Sequence, residues 1–186
     1  MASETEIASN ALTKLGAEPI TDIDDPDSAR ARLCKAYYGN TRDAVLRAYP
    51  WNCAIVRMAL ALSADAPVYG YSYKFQLPTD PYCLRLLDVE DDVEHKIAGR
   101  FVETDESSLN IRFIQRVTNT GLFDSLLQEA IECRLAAELA YPVTGTPTLI
   151  QAMWGLYAEK LREARTIDAM ENTQELWTSN ALIEVR

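Results

Sequence analysis

Between Trp51 and Gly121 the apolar residues of this chain recur at every second position, while on either side they recur every three or four. That change of period constrains the fold more than any other feature, because alternation places side chains on the two faces of a strand and the longer spacing places them on one stripe of a helix. In "YGYSYKFQLP", Tyr71, Tyr73 and Phe75 share one face while Ser72, Lys74 and Gln76 take the other. "IVRMALAL", "YCLRLLDV" and "LNIRFIQRV" read as further strands, and "HKIAGRFVETD" as a hairpin turning near Ala98 and Gly99. The expectation is one small antiparallel sheet whose aromatic ribbon welds it to the flanking helices.

Four helical segments surround this region. Ser3 and Glu6 have capping-box spacing; Ile7, Ala8, Ala11, Leu12 and Leu15 follow on one face, and Gly16 supplies a left-handed stop. A second helix is expected from Asp25 as N-cap, with Pro26 in its first turn and an apolar face of Ala29, Leu33, Ala36, Tyr37, Thr41, Ala44, Val45 and Ala48. Pro50 ends it, and Trp51 reads as the stiff core anchor of the corner that follows. Asp124 is the N-cap expected for a third helix with the stripe Leu127, Ala130, Ile131, Leu135 and Leu139. The fourth starts with Thr146 as cap and Pro147 at its first position, and turns Leu149, Met153, Leu156, Tyr157, Ala164 and Ile167 inward. Its other side carries Glu159, Lys160, Arg162, Glu163 and Arg165, a mixed-charge pattern suited to solvent or a neighbouring subunit.

The fold class expected is therefore mainly α. A four-helix bundle (1–50 and 122–170) carries a small antiparallel β-sheet module (51–121) inserted between helices 2 and 3, followed by an extended C-terminal tail (171–186). That tail has no clear period, yet it holds Trp177, Leu182, Ile183 and Val185, more apolar content than a solvating terminus needs. The residues leave two options open: it docks back on its own bundle, or it adds itself to another protein.

Composition narrows the chemistry. The formal charge of −10 argues against a surface that grips nucleic acid, since that affinity comes from clustered lysine and arginine. Cys34, Cys53, Cys83 and Cys133 form no CxxC pair and sit in apolar segments, as reduced core residues do. His95 is the only histidine and lies in a polar run, which leaves a histidine triad or multi-histidine metal site little to draw on. The aspartates of "DIDDPD" lack the glycine and distal glutamate of a calcium loop and read as a solvated turn. No cofactor is expected. Neither a basic-then-apolar leader nor an apolar run near the roughly 20 residues of a membrane span is present, so no membrane partner is expected.

Three blocks in order carry a resemblance: "ALTKLGAEPITDIDD", "YGNTRDAVLRAYPWNCA" and "YGYSYKFQLPTDPYCLRLL", continued more loosely by "AIECRLAAELAYPVTG" and the last helix. Together they resemble the head-to-tail adaptor proteins of tailed bacteriophages, the tail tubular protein A family. The resemblance implies a structural virion protein without an active site, made in the host cytoplasm and located at the head-tail junction. It implies a ring of about twelve copies beneath the portal protein, with the next tail component or nozzle on its other face and DNA passing through the lumen without specific binding. The portal contact would then fall on the tail, at Trp177, Leu182, Ile183 and Val185. Contacts between subunits would involve Tyr71, Tyr73, Arg162 and Arg165.

Two other classes compete. A tail-associated peptidoglycan hydrolase needs one carboxyl group held protonated and a second about 5 to 9.5 Å away in a sugar-binding cleft. The acidic runs "DIDDPD" and "DVEDDVE" supply carboxylates but no apolar neighbour to hold a proton on one of them. A generic helical binding module or assembly chaperone would use the mixed-charge fourth helix and differ from an adaptor chiefly in stoichiometry.

Overall fold

Ser3 opens the first helix as its spacing predicts, its hydroxyl accepting the Glu6 N–H at 3.2 Å. In the computed structural model, which describes residues 3–171, four helices flank six strands. They are α1 (Glu4–Lys14), α2 (Ala29–Ala48), β1 (Ile55–Leu60), β2 (Tyr73–Gln76), β3 (Cys83–Val89), β4 (His95–Ala98), β5 (Phe101–Thr104), β6 (Leu109–Gln115), α3 (Ser125–Thr144) and α4 (Pro147–Glu171).

The helices build one core from both ends of the chain. Ile7, Ala8, Ala11 and Leu12 of α1 are fully buried, and Gly16 stops the helix at φ +72°. The Asp124 carboxylate accepts the Leu126 and Leu127 N–H groups, and the predicted stripe of Leu127, Ala130, Ile131, Leu135 and Leu139 is wholly inside. α3 also buries Cys133, Ala136, Ala137 and Ala140, so it is the central helix, covered on most sides. It runs through Pro142 and ends at Gly145, whose N–H donates to the Tyr141 carbonyl at φ +66°.

α2 departs from its expected start and face. Ser28, not Asp25, caps it by accepting the Ala31 N–H, while the Asp25 carboxylate closes a local turn with the Asp27 N–H. The buried face is Ala31, Cys34, Tyr38, Thr41, Arg42, Val45 and Leu46, rotated by about one residue from the predicted one. Arg42 is the reason sequence patterning misplaces it: a guanidinium reads as a solvent residue. Here it is buried because Asp43 accepts two of its N–H groups, at 3.1 and 2.9 Å, with its face over the Tyr38 ring. In α4, Tyr157 and Ala164 are buried and Leu149, Met153 and Leu156 pack half-buried against the core. Ile167 is 43% exposed, and Asp168 takes the inward position one residue on.

The expected bundle with a single small sheet is overturned. The middle of the chain forms two three-stranded antiparallel sheets, ordered β1-β6-β3 and β2-β5-β4, so the protein is a mixed α and β fold with helices at both ends. Alternation told which face each residue takes but not which strand is its neighbour. β6 pairs with β1 through Ile55 to Ile114 and Leu60 to Leu109, and with β3 on its other edge. β5 likewise pairs with β2 and, across the Gly99 turn, with β4.

A second core fills the space between the sheets: Phe75 and Val102 from one, Cys83, Val89, Leu109, Ile111 and Phe113 from the other. The aromatic ribbon therefore joins sheet to sheet, not sheet to helices. That second task falls to the opposite face of the first sheet, where Ile114, Leu84 and Leu87 belong to the helical core. Adjacent residues of β6, Phe113 and Ile114, thus serve different cores. Trp51 behaves as expected, fully buried, with its indole N–H donating to the Val45 carbonyl at 3.0 Å and its ring edge-on to Tyr49.

Candidate functional site

Two surfaces stand out from the rest of the molecule, one on each layer. On the helical layer, the side of α4 that runs from Tyr157 to Met170 and the corner residue Tyr49 enclose an open groove of about 910 Å³. Tyr157, Leu161, Ala169 and Met170 supply its apolar lining, and Arg162 and Arg165 stand within it. The Arg165 guanidinium lies over the Tyr49 ring, 4.9 Å from its centroid, which fixes one wall by cation–π attraction. The groove exists because α4 is the last helix of the described residues and packs on α3 by one side alone. Met170 is consequently 73% exposed.

On the sheet layer, the connection from β1 to β2 projects an apolar tip. Val68 is 98% exposed and Tyr69 83% exposed, more than any other large apolar residues among the described ones, and Gly70 follows at φ +95°. Long connections between strands and exposed apolar tips are both features of binding loops. On the first sheet, a polar groove is lined by Arg57, Asp88, Glu90, Asn110 and Arg112, where Asp88 holds Arg112 by 2.5 and 2.8 Å contacts and Glu90 accepts from Asn110.

The residues expected to meet a neighbouring subunit divide between the layers. Arg162 and Arg165 line the α4 groove. Tyr73 begins β2 and packs against the inter-sheet core, while Tyr71 stays half-exposed with its hydroxyl donating to a Glu94 carboxylate oxygen at 3.4 Å. They do not form one patch with the arginines. Trp177, Leu182, Ile183 and Val185 lie outside the described residues.

The chemistry-bearing groups are inward or locally paired. Burial pushes the thiols of Cys34, Cys53 and Cys133 up to about 11, so at neutral pH they stay protonated and poorly nucleophilic. His95 opens β4, with Nδ1 2.8 Å from the Val93 carbonyl oxygen. The aspartates of "DIDDPD" close local turns, and among the described residues no group of three or more acidic, cysteine or histidine side chains is placed to hold a metal. No helix of the described residues is long and apolar enough to cross a membrane.

Among the described residues, Asp168 is the one carboxylate that burial clearly perturbs. Desolvation pushes its pKa up, opposed by the Asn52 N–H donated to Oδ1 at 3.1 Å and reinforced by the nearby charges of Asp124 and Glu171. Its backbone carbonyl also accepts from the Asn52 amide, so the end of α4 is tied to the corner after Trp51. Its position, four residues after Ala164 on the same stripe, was the available signal; a carboxylate there reads as solvated. No protein-family model matches the chain, and no curated protein matches it.

Proposed function

We propose that this chain is a head-to-tail adaptor of a tailed bacteriophage, a structural virion protein that forms a ring under the portal and links it to the next tail component. The observation that carries the reading is the pairing of two separate outward surfaces on two layers with separate cores: the α4 groove on the helical side, and the Val68–Tyr69 tip on the sheet side. An adaptor has to present different faces to different neighbours, and an α/β body of this kind holds them apart rigidly. Of the three sequence blocks that resemble the family, one contains the corner residue Tyr49 and another begins at Tyr69 and runs through β2 into β3.

On this reading α4 and the residues after it meet the portal, and the sheet-module loop meets the tail nozzle. The negative net charge suits a ring through which DNA slides without sticking, because like charge offers no phosphate-neutralising contacts. Mixing the purified chain with a phage portal ring and measuring the mass of the product tests the proposal. A stoichiometric complex carrying about one chain per portal subunit supports it, whereas a single bound copy, or none, removes the adaptor role.

A further inference from the structure

We infer that the α4 groove is the docking site of this chain's own residues 172–186, held there in the free protein. This goes beyond the adaptor reading and does not depend on it. The groove has the chemistry of a half-made contact. Its walls at Tyr49, Tyr157, Leu161 and Met170 are apolar, and its volume of about 910 Å³ falls within the roughly 300–1,000 Å³ of sites that enclose a compact ligand. Neither Arg162 nor Arg165 has a carboxylate partner among the described residues, although the two other cations of α3 and α4, Arg134 and Lys160, do.

The segment "NTQELWTSNALIEVR" supplies what that surface lacks. Leu176, Trp177, Leu182, Ile183 and Val185 match the apolar walls, and Glu175 and Glu184 match the two arginines in sign. Geometry favours the same chain as donor. The segment begins one residue after Glu171, beside the Ala169 and Met170 end of the groove. From Met170 back to Tyr157 the groove spans about 20 Å at 1.5 Å per helical residue. Residues 175–186 can span up to about 40 Å, enough to retrace it. Tethering then raises the local concentration to about millimolar, so a modest affinity fills the groove.

Methionine oxidation of the full-length chain tests this directly, because Met170 is open to solvent unless something covers it. With dilute peroxide, Met170 in the unaltered chain is expected to oxidise roughly tenfold more slowly than a free methionine, at a rate independent of protein concentration. Trp177→Ser with Leu182→Ser should bring it to the free rate without changing the circular dichroism, Arg165→Glu should do so in part, and Glu175→Arg added to Arg165→Glu should restore slow oxidation. Two results overturn the inference: Met170 oxidising at the free rate in the unaltered chain, or protection that grows with protein concentration, which would make a second copy the donor.

Discussion

The helical core and the inter-sheet core differ in what they bury. Thr41, Arg42, Glu132 and Asp168 are all buried in helices, whereas the strands bury one polar side chain, Thr104, whose hydroxyl donates to the Glu94 carbonyl at 2.9 Å. Three of the helical groups have charged or amide partners: Arg42 pairs with Asp43, Glu132 takes the Lys14 ammonium and the Asn10 amide at 2.8 Å each, and Asp168 takes the Asn52 N–H on Oδ1 while its Oδ2 is left without a partner among the described residues. Removing one partner of such a buried pair leaves an uncompensated charge and is strongly destabilising. The helical layer is thus the region whose geometry is specified by polar pairing, and the sheet layer is assembled by shape and apolar area. The groove lies on this helical layer and the exposed apolar tip on the sheet layer.

The largest expected effect on this contrast comes from the corner. Trp51→Ala removes a fully buried indole and its hydrogen bond and should cost about 3–5 kcal/mol, seen as a lower midpoint in urea for helical and sheet signals together. Separate midpoints would show that the two cores unfold independently. Next, Lys14→Met leaves the buried Glu132 with Asn10 as its remaining partner and should cost about 2 kcal/mol; a loss under about 0.5 kcal/mol would mean that the polar pairing of the helical layer contributes no more than a surface ion pair. Ile114→Val trims the shared strand at a fully buried site and should cost about 1 kcal/mol, with hydrogen exchange rising on both sides of β6.

Asp168→Asn sharpens the comparison through pH. Burial raises the folded pKa of Asp168 above its ordinary value, so the folded state favours the protonated form. Its contribution to stability is therefore fully present below the ordinary carboxylate pKa and is lost as pH rises through the raised one. The asparagine variant lacks this dependence, retains an oxygen for the Asn52 N–H, and should be at least as stable as the parent at pH 7. That difference should shrink as pH falls through the raised pKa, measured by urea unfolding across the acid range. The smallest effect is expected at the tip: Tyr69→Ser, at a residue 83% exposed, should change stability by less than about 0.5 kcal/mol while weakening any partner that the tip engages.

Much of the helical layer was legible because helix signals are local. Ser3, Asp124, Pro147 and Gly16 act within a turn of their own position, and the α3 stripe repeats often enough to be unambiguous. The face of α2 was misplaced where Arg42 is buried by pairing, and the fourth helix lost Ile167 to Asp168, since sequence patterning assigns every charge to solvent. The division into two sheets was not legible. Phe75 and Phe113 alternate identically in their strands, and nothing local tells that they meet across two sheets while Ile114 turns to the helices. Arg162 and Arg165 were named from the mixed-charge face of α4, but the groove around them depends on Tyr49, more than a hundred residues earlier in the chain. Val68 and Tyr69 carry no periodic signal, because exposure of a loop tip is decided by the strands on either side.

On the proposed adaptor reading, the two layers present two separate partner surfaces. The most direct test is the mass of complexes formed on a portal ring by three full preparations: the unaltered chain, Val68→Asp with Tyr69→Asp, and a chain ending at Thr173. The account predicts that the unaltered chain and the tip variant both load the portal, that the shortened chain does not, and that only the unaltered chain then recruits the next tail component. Loss of portal binding in the tip variant would contradict the assignment of separate surfaces to the two layers, and full loading by the shortened chain would remove residues 174–186 from the portal contact.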